Sequence, residues 1–205
     1  MPPETVISPL NDAPLILVTL GGFALRDAVG HQLLGPGKPL ALLTYLAASP
    51  GRTASREHLI DLLWADVDPD RARHALRQAL WQLRQALGEG CLDGKEEIHL
   101  RCDVGLDRNR FLAAVEEGDL PAALSLYGGT FVAAFASPGG AAFEHWADAE
   151  RLQLQAAFLR AAELHARRLL AKGHPRDAIA VGRRIKEVDP LGQVGPRLLI
   201  EAHLA

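Results

Sequence analysis

The clearest pattern of apolar and polar positions lies between residues 68 and 88. Apolar residues recur there in steps of three and four, which places them along one side of an α-helix. They are Ala72, Leu76, Ala79, Leu80, Leu83 and Leu87. Asp68 can cap the first turn, Pro69 suits the first helical position, and Gly88 suits the C-terminal end. The pattern predicts a helix over residues 69–87.

The opposite face of this helix is polar and carries arginine and glutamine. From Arg71 to Gln85 there are four arginines and no acidic residue. Both side-chain types donate hydrogen bonds to phosphates, and both read base edges in the major groove of DNA. The stretch alone leaves two interpretations open, a DNA-binding face and an ordinary solvated helix face.

Shorter patterns before this helix predict a small sheet and two further helices. Three apolar runs, separated by glycine-containing turns, predict antiparallel strands. The runs are 15–20, 23–26 and 31–34. A leucine-rich stripe beginning at Lys38 predicts a helix that ends at Ser49-Pro-Gly51, and Ser55 is placed to cap a second helix over 56–64. Trp64 is expected in the core.

After the long helix in the sequence, the pattern of residues 91–104 predicts a β-hairpin. Asp93-Gly94 is a strong turn signal, and Ile98, Leu100 and Cys102 alternate as they would in a half-buried strand. Three helices followed by a hairpin, with a basic third helix, are the order of a winged helix-turn-helix domain. The hairpin is then the wing of that domain.

The second half of the chain predicts helices only. A segment that starts at Gly118-Asp119 is echoed by one that starts at Gly173, with small apolar residues at matching positions. Such helix pairs resemble tetratricopeptide repeats. Residues 193–205 read as a helix with no capping residue at its end, so we expect either a truncated domain or a last helix that packs against a partner.

Composition places the chain among ordinary globular proteins. The apolar fraction is 48%, the charged fraction is 23%, and the net charge is −3. No apolar run reaches the roughly 20 residues that span a bilayer, and the start of the chain lacks the basic and apolar segments of a secretion signal. We therefore expect a cytoplasmic protein with no membrane contact. Since neither half is basic overall, any DNA contact would depend on the local patch at 71–85.

The sequence contains no recognisable motif for nucleotide binding, zinc binding or catalysis. Gly35-Pro-Gly-Lys38 lacks a glycine that a phosphate loop requires, because Gln32 occupies that position. Cys91 and Cys102 lack the spacing of a zinc site, and two free thiols are favoured over a bridge across the hairpin. With no nucleophile–base pair and no ligand cluster in the sequence, we expect no catalysis, no metal and no cofactor.

Residues 33–106 resemble the OmpR-type winged helix that opens the bacterial transcriptional activators related to the antibiotic regulatory proteins. The matching segments are Lys38-Pro-Leu-Ala-Leu-Leu-Thr-Tyr-Leu46, Arg56-Glu-His-Leu-Ile-Asp-Leu-Leu-Trp64 and Ala72-Arg-His-Ala-Leu-Arg-Gln-Ala-Leu-Trp-Gln-Leu-Arg-Gln-Ala-Leu-Gly88. The family pattern ends in a Ser-Arg-Leu-Arg-Arg-like run, where this chain has Trp81-Gln-Leu-Arg-Gln85. This departure removes two positive charges. It affects the expected affinity for DNA and the DNA sequence that the helix would recognise. The same family continues with a tetratricopeptide-like domain, so the resemblance covers residues 15–205.

The resemblance implies a mainly α-helical fold with a small β component. We expect a flexible tail over 1–14, an OmpR-like winged-helix DNA-binding domain over 15–106, and a tetratricopeptide-like helical activation domain over 107–205. It implies a transcription regulator that binds promoter direct repeats in double-stranded DNA, as a dimer or in tandem. RNA polymerase and a small anionic effector are its expected further partners. The alternative is a protein-interaction adaptor or signalling module whose winged helix does not bind DNA.

The candidate DNA contacts follow from placing helix 69–87 in the major groove and the wing, 91–104, on the backbone. The groove-facing residues are His74, Arg77, Gln78, Trp81, Gln82 and Gln85. The remaining candidate contacts are Lys38, Arg73, Arg84, Lys95, His99 and Arg101. Trp81 either covers the wing or stacks on DNA sugars, whereas Arg77 suits guanine and the glutamines suit adenine.

The helical half carries two basic doublets, Arg167-Arg168 and Arg183-Arg184. Their simplest interpretation is a solvated helix surface. The alternative is a site for an anionic effector or for an acidic partner. The sequence leaves both interpretations open.

Overall fold

The computed structural model describes residues 14–133, 135 and 140–204, and all but the last residue of the expected tail at 1–14 lies outside them. The chain divides into two compact units. Of the described residues, the first unit holds 14–17, 24–105 and 140–142, and the second holds 18–23, 106–133, 135 and 143–204. The mainly α-helical fold with a small β component is confirmed.

The first unit is built from short strands and three helices. The strands are β1 (Leu15–Val18), β2 (Ala24–Arg26), β3 (Gln32–Leu34), β4 (Thr53–Ser55), β5 (Leu92–Asp93), β6 (Glu97–Leu100) and β7 (Val104–Leu106). The helices are α1 (Lys38–Ala48), α2 (Arg56–Trp64) and α3 (Pro69–Leu87). One sheet has the strand order β3-β2-β1-β7 and the other has the order β4-β6-β5. Val18 and Leu106, the last residues of β1 and β7, are grouped with the second unit.

The helices of the first unit begin where the sequence places their caps. The Ser55 hydroxyl accepts a hydrogen bond from the backbone N–H of His58 at 3.1 Å, which caps α2. The Asp68 carboxylate caps α3 by accepting from two backbone N–H groups of its first turn. Every residue of the apolar stripe on α3 is buried, as are the leucines of α1 and the Trp64 side chain. These predictions are confirmed, and the buried stripes form the core on which α3 rests.

Strand β4 is a feature that the sequence analysis missed. Its three residues pair antiparallel with β6, with Thr53 opposite His99 and Ala54 opposite Ile98. Three residues are too few to show an alternation of apolar and polar positions. The pairing partner lies more than forty residues away in the chain, so no local pattern predicts the strand. The predicted alternation to Cys102 is also too long, because β6 ends at Leu100.

The second unit contains five helices among its described residues. They are α4 (Asp107–Glu117), α5 (Leu120–Leu126), α6 (Ala141–Ala171), α7 (Pro175–Val188) and α8 (Val194–Leu204). Small residues lie where α7 packs against α8. A Cβ atom on Gly195 would lie 3.1 Å from the backbone nitrogen of Lys186, and one on Gly182 would lie 3.1 Å from the Leu199 side chain. Glycine therefore allows this close packing.

A buried carboxylate joins the start of α4 to the segment that follows β1. One oxygen of Asp107 accepts the backbone N–H groups of Thr19 and Leu20, at 2.8 and 2.9 Å. The other accepts the Thr19 hydroxyl at 2.5 Å and the backbone N–H of Arg108 at 2.8 Å. These bonds explain why residues 18–23 belong to the second unit, a departure from the predicted linear division at residue 106.

The same segment also pairs with the stretch after α5. The backbone N–H of Gly21 donates to Thr130, and that of Val132 donates to Thr19, on either side of an antiparallel bridge between Leu20 and Phe131. Glycine is required at this crossing. Gly21 has a φ of +84°, and a Cβ atom there would lie 2.5 Å from the carbonyl carbon of Gly128.

Aromatic rings fill the interior of the second unit. Tyr127 stacks on Phe158 with ring centroids 4.4 Å apart, and it contacts Phe111 at 5.4 Å. Nearby, Arg108 on α4 forms a two-pronged ion pair with Glu150 on α6, at 2.8 and 2.9 Å, and both side chains are largely buried. Such forked pairs fix geometry as well as contribute energy. Of the helices in the described part of the chain, none combines the length and apolar character needed to cross a membrane.

We expect Asp107→Ala to lower the free energy of unfolding by about 3–5 kcal/mol, because it leaves buried donors without an acceptor. The matched control is Asp148→Ala. Asp148 is an exposed acid on α6 whose ion pair with Arg151 is worth at most about 1 kcal/mol. Urea denaturation of the full chain measures both variants. Equal losses in the two variants would contradict the role assigned to Asp107.

Candidate nucleic-acid interface

The polar face of α3 is exposed along its length. All six predicted groove-facing residues lie on it, and each is exposed: His74, Arg77, Gln78, Trp81, Gln82 and Gln85. The spacing of three and four residues places these side chains on one side of the helix, opposite the buried stripe. The face therefore presents guanidinium, amide and imidazole groups together, which can donate to base edges and phosphates.

The arginines of α3 differ in how far their charge is compensated. The Arg73 guanidinium pairs with the Asp70 carboxylate at 2.8 Å, and both side chains are exposed. The Nε atom of Arg84 donates to the backbone carbonyl of Leu92 at 3.4 Å, which directs this half-buried side chain toward β5. For Arg77 and Arg71, no ion pair is formed with any residue of the described ranges 14–133, 135 and 140–204. Arg77 thus carries the free cation at the centre of the face.

Trp81 lies beside the strand β3 of the first sheet. Its side chain is 59% exposed, and it borders a shallow depression together with Leu33 and Leu34 of the strand β3. The neighbours of Trp81 at this depression are residues of β3 and of its own helix, and its interpretation as a cover for the wing stays a prediction.

The wing is the hairpin of β5 and β6, and it is held against the start of α2. The backbone N–H of Arg56 donates to the carbonyl of Glu96 at 2.9 Å, and its guanidinium donates to the carbonyl of Lys95. Gly94 makes the turn with a φ of +102°, and a Cβ atom there would overlap the carbonyl oxygen of Glu97. The position of the wing beside α3 thus depends on contacts between distant parts of the sequence.

The three side chains predicted as wing contacts differ in their exposure and in their ion pairs. Lys95 is exposed, whereas Arg101 pairs with Asp93 across the hairpin at 3.0 Å. His99 is half-buried and lies 4.0 Å from the Glu97 carboxylate. Because acidic residues outnumber basic ones in residues 91–104, the wing has no net positive charge.

Lys38 contacts an aromatic ring of the neighbouring helix α2. Its ammonium group sits 5.3 Å from the centre of the Trp64 ring, a cation–π contact between α1 and α2. Burial lowers the pKa of Lys38, and the nearby Asp66 carboxylate opposes that shift. The structure gives Lys38 a packing contact, and its predicted place among the DNA contacts stays a prediction.

Three arginines near the interface were missed by the sequence analysis. Arg71 lies exposed in the first turn of α3, Arg56 holds the wing, and Arg52 donates to the carbonyl of Cys102 at 2.7 Å. Only Arg71 had a local signal, since it stands within the acid-free stretch of the helix. The other two act through backbone carbonyls some forty or fifty residues further along the chain.

The two cysteines are free thiols at the base of the wing. Cys91 donates to the carbonyl of Leu87 at 3.2 Å, and its own carbonyl accepts the backbone N–H of Arg101. Burial and the neighbouring Cys91 raise the pKa of the Cys102 thiol to about 12. Within the described residues, no group of three or more His, Cys, Asp or Glu side chains could hold a metal ion.

The basic doublets of the second unit do not form one cluster. Arg167 is paired with Glu163 at 2.9 Å and lies 3.8 Å from Glu201. Arg168 and Arg183 are exposed. Arg184 is half-buried beside a cavity within this unit. Adjacent residues on a helix point about 100° apart, so each doublet divides between two faces.

Comparisons with known proteins agree with the two-part organisation. Residues 30–105 match the family described as "Transcriptional regulatory protein, C terminal". Residues 104–205 match the family described as "Bacterial transcriptional activator domain". The two matches follow one another in the chain.

Individual relatives are longer than this chain. Regulatory protein AfsR of Streptomyces griseus is 40% identical over 65 residues, which are 31% of this chain and 7% of that protein. The solved structure of Mycobacterium tuberculosis EmbR in complex with low affinity phosphopeptide is similar with a TM-score of 0.58 and 20% identity, covering 94% of this chain and 65% of that chain. At this identity the structural similarity shows the fold.

The raised pKa of Cys102 predicts slow alkylation in the folded protein. A thiol with a pKa near 12 is almost wholly protonated at pH 8, and the thiolate is the reactive form. We expect iodoacetamide to modify Cys102 at least about tenfold more slowly than an unperturbed thiol. Peptide mass spectrometry measures the rate, with the urea-unfolded chain as the control. Equal rates in the folded and unfolded chains would contradict this prediction.

Proposed function

Because the chain belongs to the bacterial transcriptional activators in which an OmpR-like winged helix precedes a bacterial transcriptional activator domain, we propose that it is a transcription regulator that binds double-stranded DNA through its first unit. The observation that carries this proposal is the exposed polar face of α3. A helix with a continuous row of Arg, Gln and His side chains fits the major groove, which admits one α-helix.

Within this proposal the residues of α3 divide into two roles. Arg77 can donate two hydrogen bonds to guanine, and Gln78 and Gln82 can each pair with adenine. Arg73 lies at the flank, where its exposed pair with Asp70 can be exchanged for a phosphate at little cost. The wing lies along the sugar–phosphate backbone through Lys95, and its net negative charge leaves most of the affinity to α3.

The alternative function is an adaptor whose winged helix does not bind DNA. It is motivated by the loss of two positive charges at the end of α3 relative to the family pattern. Salt dependence separates the two functions, since phosphate contacts release counterions and make affinity fall steeply as salt rises. A promoter footprint with the purified full chain, repeated from about 50 to 200 mM salt, is the test. Absence of protection at low salt would favour the adaptor.

We predict that Arg77→Ala and Gln82→Ala each weaken binding to the footprinted operator by about 1–3 kcal/mol and weaken binding to random DNA much less. The physical reason is the loss of hydrogen bonds to base edges that only the operator supplies. Arg176→Ala is the matched control, because Arg176 is an exposed arginine on α7 in the second unit. Fluorescence anisotropy with both DNAs measures the difference. Equal losses of binding free energy on the operator and on random DNA would show that these two residues do not read bases.

We further propose that two copies bind adjacent direct repeats in a head-to-tail arrangement. A single helix in one groove covers only half of such a site, and the chain carries a net charge of −3, so one copy alone binds weakly. Half-sites should lie about 10–11 base pairs apart, centre to centre, so that both copies face the same side of the duplex.

This arrangement predicts two protomers per operator at saturation. Inserting about five base pairs between the half-sites turns one of them to the opposite side of the duplex and should abolish cooperative binding. An insertion of about ten base pairs keeps both on one side and serves as the control. Sedimentation of the complexes gives the stoichiometry. Saturation at one protomer per operator would refute the tandem arrangement.

We propose that the second unit regulates the first or recruits RNA polymerase. Two features support an acidic partner for this unit. Arg168 and Arg183 are exposed, and in the described part of the chain neither forms an ion pair. Burial lowers the pKa of His165, and the nearby charges of Arg168 and Lys172 lower it further, whereas the Asp177 carboxylate opposes the shift. A small anionic effector is the second proposed partner of this unit.

A further inference from the structure

A cavity of about 330 Å³ lies within the second unit, between the segment 127–131 and the helices α6 and α7. Helix α6 contributes Arg151 and Gln155 to its wall, and α7 contributes Arg184 and Glu187. This volume is in the range of pockets that enclose small metabolites. The cavity is distinct from the face of α3, because all of its lining residues belong to the second unit.

Arg184 is held in this cavity by two contacts that leave its charge uncompensated. Its guanidinium lies 5.2 Å from the centre of the Phe158 ring and donates to the backbone carbonyl of Tyr127. Both contacts orient the group, yet neither neutralises it. Among the residues that the structure describes, no carboxylate forms an ion pair with Arg184. A positioned and half-buried cation of this kind is well suited to bind an anion.

The other groups around the cavity include hydrogen-bond donors. Arg151 donates to the carbonyl of Phe131 at 3.0 Å, and its charge is compensated by Asp148 at 2.6 Å. The backbone N–H groups of Gly129 and Thr130 form no hydrogen bond within the described residues, although both residues line the cavity. Adjacent free N–H groups favour an oxygen-rich anion.

Glu187 is the acidic residue of the cavity wall. It is exposed on α7, one turn beyond Arg184, and in the described part of the chain it forms no ion pair. Its carboxylate repels an approaching anion, so it limits the affinity of the site. Its removal should therefore strengthen anion binding, which gives the site a test of opposite sign from the loss of Arg184.

From this geometry we propose that the cavity binds a small anion bearing a phosphate or carboxylate group, with Arg184 as its principal contact. Binding of the anion does not depend on the proposed DNA-binding function. Only its role as the effector rests on that function. The bound oxygen atoms would accept from the Arg184 guanidinium and from the free N–H groups of Gly129 and Thr130. Gln155 fixes the opposite wall, since its amide donates to the Val188 carbonyl at 3.0 Å.

The test is a titration of the full chain, without DNA, with inorganic phosphate in one arm and succinate in the other. Sodium chloride keeps the ionic strength constant, and the readouts are calorimetric affinity and melting temperature. We expect saturable binding and a rise in melting temperature in at least one arm, because a ligand of the native state stabilises it. The arm that responds identifies the phosphate or the carboxylate as the recognised group.

Three variants locate the site. Arg184→Met keeps the aliphatic stem over Phe158 and should weaken binding by about tenfold or more, which is the loss of a charge-assisted contact. Glu187→Gln should tighten binding by roughly threefold through loss of repulsion. Glu116→Gln, an exposed acid on α4 that does not line the cavity, is the matched control and should leave binding unchanged.

If Arg184→Met fails to fold, Glu187→Gln decides the test, because Glu187 is exposed and forms no ion pair within the described residues. Absence of saturable binding in both arms, or equal affinity of Glu187→Gln and Glu116→Gln, would overturn the proposal. Since no DNA is present, a negative result would leave the proposed DNA binding untouched. Conversely, a failed footprint would not affect the titration.

Discussion

The four hydrogen bonds accepted by the Asp107 carboxylate are the constraint on which the organisation of the chain depends. A buried carboxylate is tolerated only when its oxygens are satisfied, and Thr19 and Leu20 supply three of the four donors. The segment after β1 is thereby committed to the helical unit, although the strand itself lies in the sheet of the first unit. Glycine at positions 21 and 128 then allows this segment to approach the stretch after α5.

Whether an arginine is available to bind a ligand depends on its distance to the nearest carboxylate. Arg108, Arg151 and Arg167 are all paired with acids, so they stabilise or orient helices. Arg77 and Arg184 have no such partner among the described residues, and each lies on a surface that a ligand can reach. One side-chain type therefore supplies both structural ion pairs and the two proposed binding cations. The difference between these roles is one of position.

The proposed interface depends on a rigid support for α3 and the wing. The buried stripe of α3 fixes the helix, and β4 with Arg56 fixes the hairpin. Because the wing, residues 91–104, carries four acidic residues and two basic ones, it contributes position more than affinity. The proposed recognition is then concentrated on the short row of exposed side chains around Arg77. This concentration is consistent with a chain whose net charge is negative.

The sequence by itself determined the features that depend on neighbours within a few residues. The stripe, caps and polar face of α3, the capping of α2 by Ser55 and the turn at Gly94 are all local, and the structure confirms them. Tertiary structure decided the rest. Strand β4, the bonds of Asp107 and the contact of Lys38 with Trp64 each join residues from different parts of the chain. No local periodicity encodes such contacts, because they exist only after the packed elements bring their partners together.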